Sequence, residues 1–224
     1  MPKLPPLDVL YEDNHLLVVN KPAGLATQGV MEGTASVVTA AKEYLKRKYK
    51  KPGNVYVGVV SRLDASVSGV LVLARTSKAA ARLTEQFRAR ATEKTYWALV
   101  ERPPAPAEGE LEHWLLKDER AMRMKTVRRY TPAALHARLE YRTLRADKKH
   151  TLLEIRLHTG RKHQIRLQLA EIGCPILGDK KYGSRAAFPA GIALHSRRLA
   201  IDHPTTKERL VFEAPLPKAW PSVS

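Results

Sequence analysis

The loop Ser61-Arg-Leu-Asp-Ala-Ser-Val-Ser-Gly69 places a single carboxylate, Asp64, between two apolar segments, Val55–Val60 and Val70–Ala74. The chain around it is strongly basic, with 39 Lys+Arg against 22 Asp+Glu and a formal charge of +17. A carboxylate in a protein built to meet a polyanion repels that ligand unless it takes part in chemistry. The alternative is an ordinary turn aspartate or a salt bridge to Arg62. A second polar concentration, Gly160-Arg-Lys-His-Gln-Ile-Arg166, leads into a helical stretch and mixes cations with an amide. Helix starts favour anions, so three cations there point either to a bound partner or to a solvated helix start. One arginine among them could hold a buried carboxylate ionised. Glu93-Lys-Thr-Tyr-Trp-Ala-Leu-Val100 adds Tyr96 on an apolar strand, where a core tyrosine is the plainer role.

Other chemistries find little support. The sequence has no phosphate-binding P-loop and no dinucleotide fingerprint. Ser66 and Ser68 precede Gly69, but the G-x-S-x-G elbow of a hydrolase is absent. The eight histidines form no H-E-x-x-H pair, and a single cysteine, Cys174, rules out an internal disulfide and a multi-cysteine metal cage. Neither a metal nor a cofactor is implied.

Composition narrows the partner. With 44% hydrophobic and 27% charged residues the chain is an ordinary globular one, long enough for one large domain or two small subdomains. No apolar run approaches the roughly 20 residues that cross a bilayer, and the first eight residues lack a signal peptide's apolar core. A cytoplasmic protein is expected. The excess positive charge points to nucleic acid, where neutralising phosphates releases counterions.

The elements that must position these groups alternate in type. Val9–Asp13 and His15–Asn20 read as strands joined by a tight turn at Asp13-Asn14. Ala35–Lys48 and Ser77–Arg90 carry helical periodicity, the second burying Ala80, Leu83 and Phe87. Val55–Val60, Val70–Ala74 and Thr95–Val100 are apolar strands. Leu135–Arg142 and Leu153–Leu157 alternate as a hairpin across the charged turn Arg145–Lys149. His163–Ile172 is a short helix stopped by Gly173, and strands near Leu194–Ile201 and Leu210–Glu213 close the chain. Strands following strands, with few helices between, predict an α+β fold with a mainly antiparallel sheet.

Taken in order, the polar segments resemble the RluA type of pseudouridine synthase. That type carries N-K-P-x-G, H-R-L-D-x-x-T-S-G, E-K-x-Y-x-A-x-V, G-R-x-H-Q-I-R, G-D-x-x-Y-G and a late L-H-A followed by H-P. Here they stand as Asn20-Lys-Pro-Ala-Gly24, the Ser61–Gly69 loop, Glu93–Val100, Gly160–Arg166, Gly178-Asp-Lys-Lys-Tyr-Gly183, Leu194-His-Ser196 and His203-Pro204. The resemblance implies two subdomains around an RNA cleft, together forming a single catalytic domain over 1–224 with a short tail at 1–8 and no N-terminal S4 module. It also implies isomerisation of a uridine in ribosomal or transfer RNA, with no cofactor. A self-contained cleft with this charge makes a monomer the simpler expectation.

By motif match Asp64 is the catalytic aspartate, Tyr96 stacks on the flipped base, and Arg166 ion-pairs with Asp64. A uridine inside folded RNA must leave its stack to be reached, and Arg62 could fill the gap. RNA contacts are expected from Arg62, Lys21, Arg161, His163, Lys46, Arg47 and Lys48. The last three belong to a cluster with Lys42, Lys50 and Lys51; Arg123, Lys125, Arg128 and Arg129 form another. Each cluster is either a phosphate contact or a solvated face. Ser61 and Val67 depart from the family's histidine and threonine. A non-catalytic RNA-binding or ribosome-assembly protein of the same fold is therefore the second reading, and a hydrolase using Ser66 or Ser68 a distant third.

Overall fold

Two strands buried on both faces organise the first half of the chain. In the computed structural model, which describes residues 5–221 apart from Glu32 and Lys148, β2 (Leu16–Lys21) and β4 (Ser68–Ala74) pair antiparallel, with Asn20 opposite Val70. Their sequences, LLVVNK and SGVLVLA, are nearly continuous apolar runs, as strands covered on both sides require. β1 (Val9–Glu12) joins the free edge of β2, and the Asp13 carboxylate closes the turn by accepting the N–H of His15 and of Leu16 at 2.7 Å each. The tail expected over 1–8 falls partly on residues 1–4, outside the described residues.

The chain divides into two compact units, residues 1–93 with 196–218, and residues 94–195 with 219–224. In the first, the strand order is β1-β2-β4-β10-β11, where β10 is Leu194–Asp202 and β11 is Arg209–Glu213; the two-residue β3 (Gly58–Val59) also pairs with β4. Leu16, Val18, Val70, Val72, Leu199, Ile201 and Phe212 form its core with Ala79 and Leu83 of α2 (Ser77–Arg88). The N-cap of α2 is Thr76, and the helix stops at Arg88, short of the expected Arg90, which takes φ 59°. α1 (Val37–Lys48) begins after Ser36, whose hydroxyl accepts the Thr39 N–H while the Thr39 hydroxyl accepts the Ser36 N–H. Lys46, Arg47 and Lys48 fill its last turn and complement the helix dipole. The strand expected over Val55–Val60 shrinks to Gly58–Val59, because only those residues find partners on β4.

The second unit is an antiparallel sheet in the order β5-β9-β8-β6-β7. Its strands are β5 (Glu93–Val100), β6 (Glu108–Asp118), β7 (Arg123–Val127), β8 (Leu135–Ala146) and β9 (Thr151–Leu157). The hairpin β6–β7 lies where the sequence reading assigns no element, although Glu108, Glu110 and Glu112 alternate with Gly109, Leu111 and His113. The turn expected at Arg145–Lys149 moves to 147–150, where Asp147 accepts the N–H of Lys149 and of His150; Lys148 lies outside the described residues. α3 (Gln164–Glu171) buries six consecutive residues, Gln164–Leu169, a wider face than the Ile165/Leu169/Ile172 stripe predicts. Its Leu167 packs with Leu115, Met124, Ala137 and Tyr182. Helices and a mainly antiparallel sheet make the α+β class the observed one.

Candidate active site

The Asp64 loop is fastened from both sides by side chains of the first unit. Thr27 Oγ1 donates to the Leu63 carbonyl at 2.9 Å and accepts the Leu63 N–H at 3.2 Å. On the other side, the Ala65 carbonyl accepts from Gly24 N at 2.7 Å and from Lys21 Nζ at 3.1 Å. Asp64 uses its own carbonyl to accept the Val67 N–H at 3.0 Å, which closes a turn and leads into β4. Its side chain is half-buried. Gly69 ends the loop at φ 113°, and a Cβ there would collide with the backbone of Ser196 on β10. Only glycine combines that left-handed conformation with so close an approach.

Lys21 departs from expectation. Sequence reading makes it an RNA contact, yet its side chain has no exposed surface. Its ammonium donates to three carbonyls, Pro22 at 2.9 Å, Leu25 at 2.7 Å and Ala65 at 3.1 Å. Burial pushes its pKa from the usual 10.5 down to about 7, and the Asp64 charge nearby opposes that fall. Lys21 is thus a positioning residue: three donors tie the Asn20–Leu25 turn to the Asp64 loop. A lysine flanked by an apolar strand and a proline gives no sign in sequence of which way it points.

In the second unit, Arg166 is buried on the first turn of α3 and forms a two-pronged pair with Asp179, Nε to Oδ2 at 2.7 Å and Nη2 to Oδ1 at 2.9 Å. Its guanidinium also lies 5.1 Å from the Tyr182 ring centre. Two residues of the Gly178–Gly183 motif therefore hold this arginine, a role that the motif's residue types alone do not reveal. The His163 Nδ1 is 2.8 Å from the Tyr182 hydroxyl, which also accepts the Met124 N–H at 3.0 Å. Half-buried and so engaged, His163 serves first to shape the turn into α3, in the left-handed conformation at φ 54°. Arg161 is likewise tied down, its Nε donating to the His136 carbonyl at 2.9 Å. Tyr96 lies opposite Ile155 on β9, half-buried in the middle of a strand whose last three residues, Ala98–Val100, are buried.

The surface cations differ among themselves. Arg62 is exposed beside Asp64, and Lys46 and Arg47 are exposed on α1, Arg47 only loosely paired with Glu43 at 3.4 Å. Lys48 is instead engaged at 2.7 Å by Glu12, which also accepts from the hydroxyls of Tyr44 and Tyr49. Its hydrogen bond to Glu12, then that to Tyr44, raises its pKa above the ordinary lysine range. Lys48 is the pin between α1 and β1 more than a free phosphate contact. Among the described residues, no group of three or more His, Cys, Asp or Glu could hold a metal ion, and no helix is long and apolar enough to cross a membrane.

A family model described as RNA pseudouridylate synthase matches residues 15–171, a span that holds Asp64, Tyr96 and Arg166. The chain is 34% identical, over 97% of its length and 71% of the relative's, to an uncharacterised RNA pseudouridine synthase of Bacillus subtilis. It is 33% identical to ribosomal large subunit pseudouridine synthase D of Vibrio cholerae, covering 95% of this chain and 68% of that one. A solved human structure, RNA pseudouridylate synthase domain containing 4, superposes with a TM-score of 0.79 at 27% identity, over 94% of this chain and 89% of that one. The chain belongs to the RNA pseudouridylate synthase family. Its reaction is the isomerisation of uridine to pseudouridine in RNA.

Proposed function

We propose that Asp64 is the carboxylate that acts on the target uridine, with Tyr96 stacked on the flipped base and Arg166 ion-paired to Asp64. The observation that carries this reading is the fastening of residues 63–65 by Thr27, Gly24 and Lys21, which fixes a half-exposed carboxylate on a rigid loop. Rigid placement is what a reaction with no cofactor needs from its protein. In that reaction the bond from N1 of the base to the sugar breaks, the base turns, and a bond from C5 to the sugar forms. The C5 proton is then lost and N1 regains one. Tyr96 is the candidate to assist the proton loss, and the Asp179 fork supports Arg166 by fixing the plane of its guanidinium. Arg62, exposed next to Asp64, is suited to occupy the gap left in the RNA stack.

The departures at Ser61 and Val67 leave this machinery in place. Val67 is buried, and its N–H still holds the Asp64 carbonyl, so valine for threonine exchanges a hydroxyl for a methyl without loosening the turn. Restoring Ser61→His and Val67→Thr together is expected to change turnover little, measured on the same RNA. Relatives named for the ribosomal large subunit make its RNA the first substrate to test, with transfer RNA next. The enzyme is proposed to work as a cytoplasmic, metal-free monomer.

The test is a map of pseudouridine in ribosomal and transfer RNA from cells with and without the gene. A position that disappears on deletion should return with wild type and not with Asp64→Asn, while the variant protein keeps its RNA affinity. Product formed by Asp64→Asn at the wild-type rate would sink the assignment.

A further inference from the structure

Beyond the target uridine, the second unit presents an aromatic and basic patch. Tyr130, in the turn between β7 and β8, is 80% exposed. The turn is closed by Thr131, whose N–H and hydroxyl both reach the Arg128 carbonyl, at 3.2 and 2.8 Å. Tyr130 takes φ 70° there, at the third position of a turn, where glycine or asparagine is the usual occupant. A bulky side chain in that conformation is uncommon, and here no burial offsets it. The Arg129 guanidinium lies 4.9 Å from the Tyr130 ring centre, and the Trp114 ring stands 6.5 Å away on β6. Trp114 in turn meets the His136 ring at 5.4 Å, its cross-strand partner on β8. The His136 carbonyl is the acceptor of Arg161 Nε, so the patch adjoins the Gly160–Arg166 motif.

Charge selects among possible occupants. Arg128 and Arg129 are exposed, and among the described residues no carboxylate pairs with either side chain. In this they differ from Lys48, held by Glu12, and from Arg138, held in a fork by Glu110 at 2.5 and 2.7 Å. A protein partner would be met by complementary acid or by a broad apolar face. A tyrosine ring with two arginines that no carboxylate engages instead suits a base and its neighbouring phosphates. Planar guanidinium groups also stack on bases, so Arg129 can extend the surface Tyr130 offers.

We propose that Tyr130, with Arg128 and Arg129, forms an accessory site for an unpaired nucleotide of the substrate RNA, separate from the uridine that reacts. This rests on the reading of the chain as an RNA-modifying enzyme, and it extends that reading to how the RNA is chosen. The base stacks on Tyr130, the flanking phosphates meet the two arginines, and Trp114 backs the platform. Such a site favours RNA with an unpaired residue near the target over a continuous duplex, because paired bases do not expose their faces.

The experiment uses the full chain and two fluorescein-labelled probes of about 10 nucleotides, a single-stranded oligouridylate and a fully paired RNA duplex, followed by anisotropy. Tyr130→Ala should weaken binding to the single strand by at least about fivefold, in keeping with the loss of one stacked base. Tyr130→Phe should stay within about twofold, since the ring is kept. Binding of the duplex should be unchanged by either. The exposure of Tyr130 makes both variants foldable, which thermal melting checks. Unchanged single-strand affinity in Tyr130→Ala overturns the proposal, and so does an equal loss on both probes, which would mark a purely ionic surface. Pseudouridine formation by the wild-type chain is scored in a separate assay, so that a chain which binds the single strand through Tyr130 yet forms no product would sink the isomerase reading and leave the accessory site standing.

Discussion

A lysine with no exposed surface makes a strong statement about the loop it holds. Three carbonyls take the three N–H donors of Lys21, and one of them belongs to the residue after Asp64. Lys21→Met keeps the side-chain length and removes the donors. Turnover should fall on the order of 100-fold through misplacement of the carboxylate, with RNA affinity changed little, as read from single-turnover rates against binding curves. The same lysine has a pH signature. Its folded pKa lies near 7 and its usual one at 10.5, so across that window the unfolded chain binds more protons and stability rises with pH. Below about pH 7 both states are protonated and this contribution is flat. Denaturant midpoints at about pH 7 and about pH 9 should separate more in wild type than in Lys21→Met. Equal separations would mean that Lys21 titrates like a surface lysine.

At the scale of elements, the start of α3 depends on a carboxylate that the helix does not contain. Asp179 precedes the short 3-10 turn Lys180–Tyr182 and grips Arg166 from there; both side chains are buried. Removing one member of such a pair leaves the other buried charge without its two-pronged partner. Asp179→Ala should therefore cost about 3–5 kcal/mol in unfolding free energy, measured by chemical denaturation. A loss under about 1 kcal/mol would show that Arg166 is held by other means. The N-cap of α1 makes a milder case. Ser36→Ala removes the hydroxyl that accepts the Thr39 N–H and should cost about 1 kcal/mol while leaving turnover intact. Gly69 belongs with the severe changes. Gly69→Ala would strain a left-handed backbone and push β4 from β10, so soluble, folded protein in normal yield would contradict the close approach described above.

For the whole molecule, a charge of +17 sets how the protein meets RNA, but individual cations do not contribute alike. Lys46 and Arg47 stand exposed on α1, whereas Lys48 is spent on Glu12. Lys46→Gln with Arg47→Gln should reduce the slope of log affinity against log salt by about 0.7 to 0.9 per charge that meets a phosphate. Lys48→Gln should leave that slope nearly unchanged and loosen the α1–β1 pin instead, seen as a lower melting temperature. A slope that moves for Lys48 and stays fixed for Lys46 and Arg47 would reverse this assignment.

The family and its reaction were legible in the sequence, because chemistry at this site depends on residue type and order along the chain. Asp64, Tyr96 and Arg166 stand in motifs that side-chain substitution would spoil. Apolar periodicity likewise located most elements, since strands such as Leu16–Val19 are buried on both faces and leave an unbroken signal. The β6–β7 hairpin escaped because its outer face alternates glutamates and a tryptophan, a pattern that reads as a charged loop until a partner strand is known. Direction was the other thing withheld. Lys21 and Lys46 are the same residue type, and nothing local tells that one turns inward to three carbonyls while the other meets solvent. The partner of Arg166 on Asp179, thirteen residues away, and the left-handed turn that lifts Tyr130 outward are likewise tertiary facts. Backbone geometry and packing decide which polar groups are used to hold the fold and which are left for RNA.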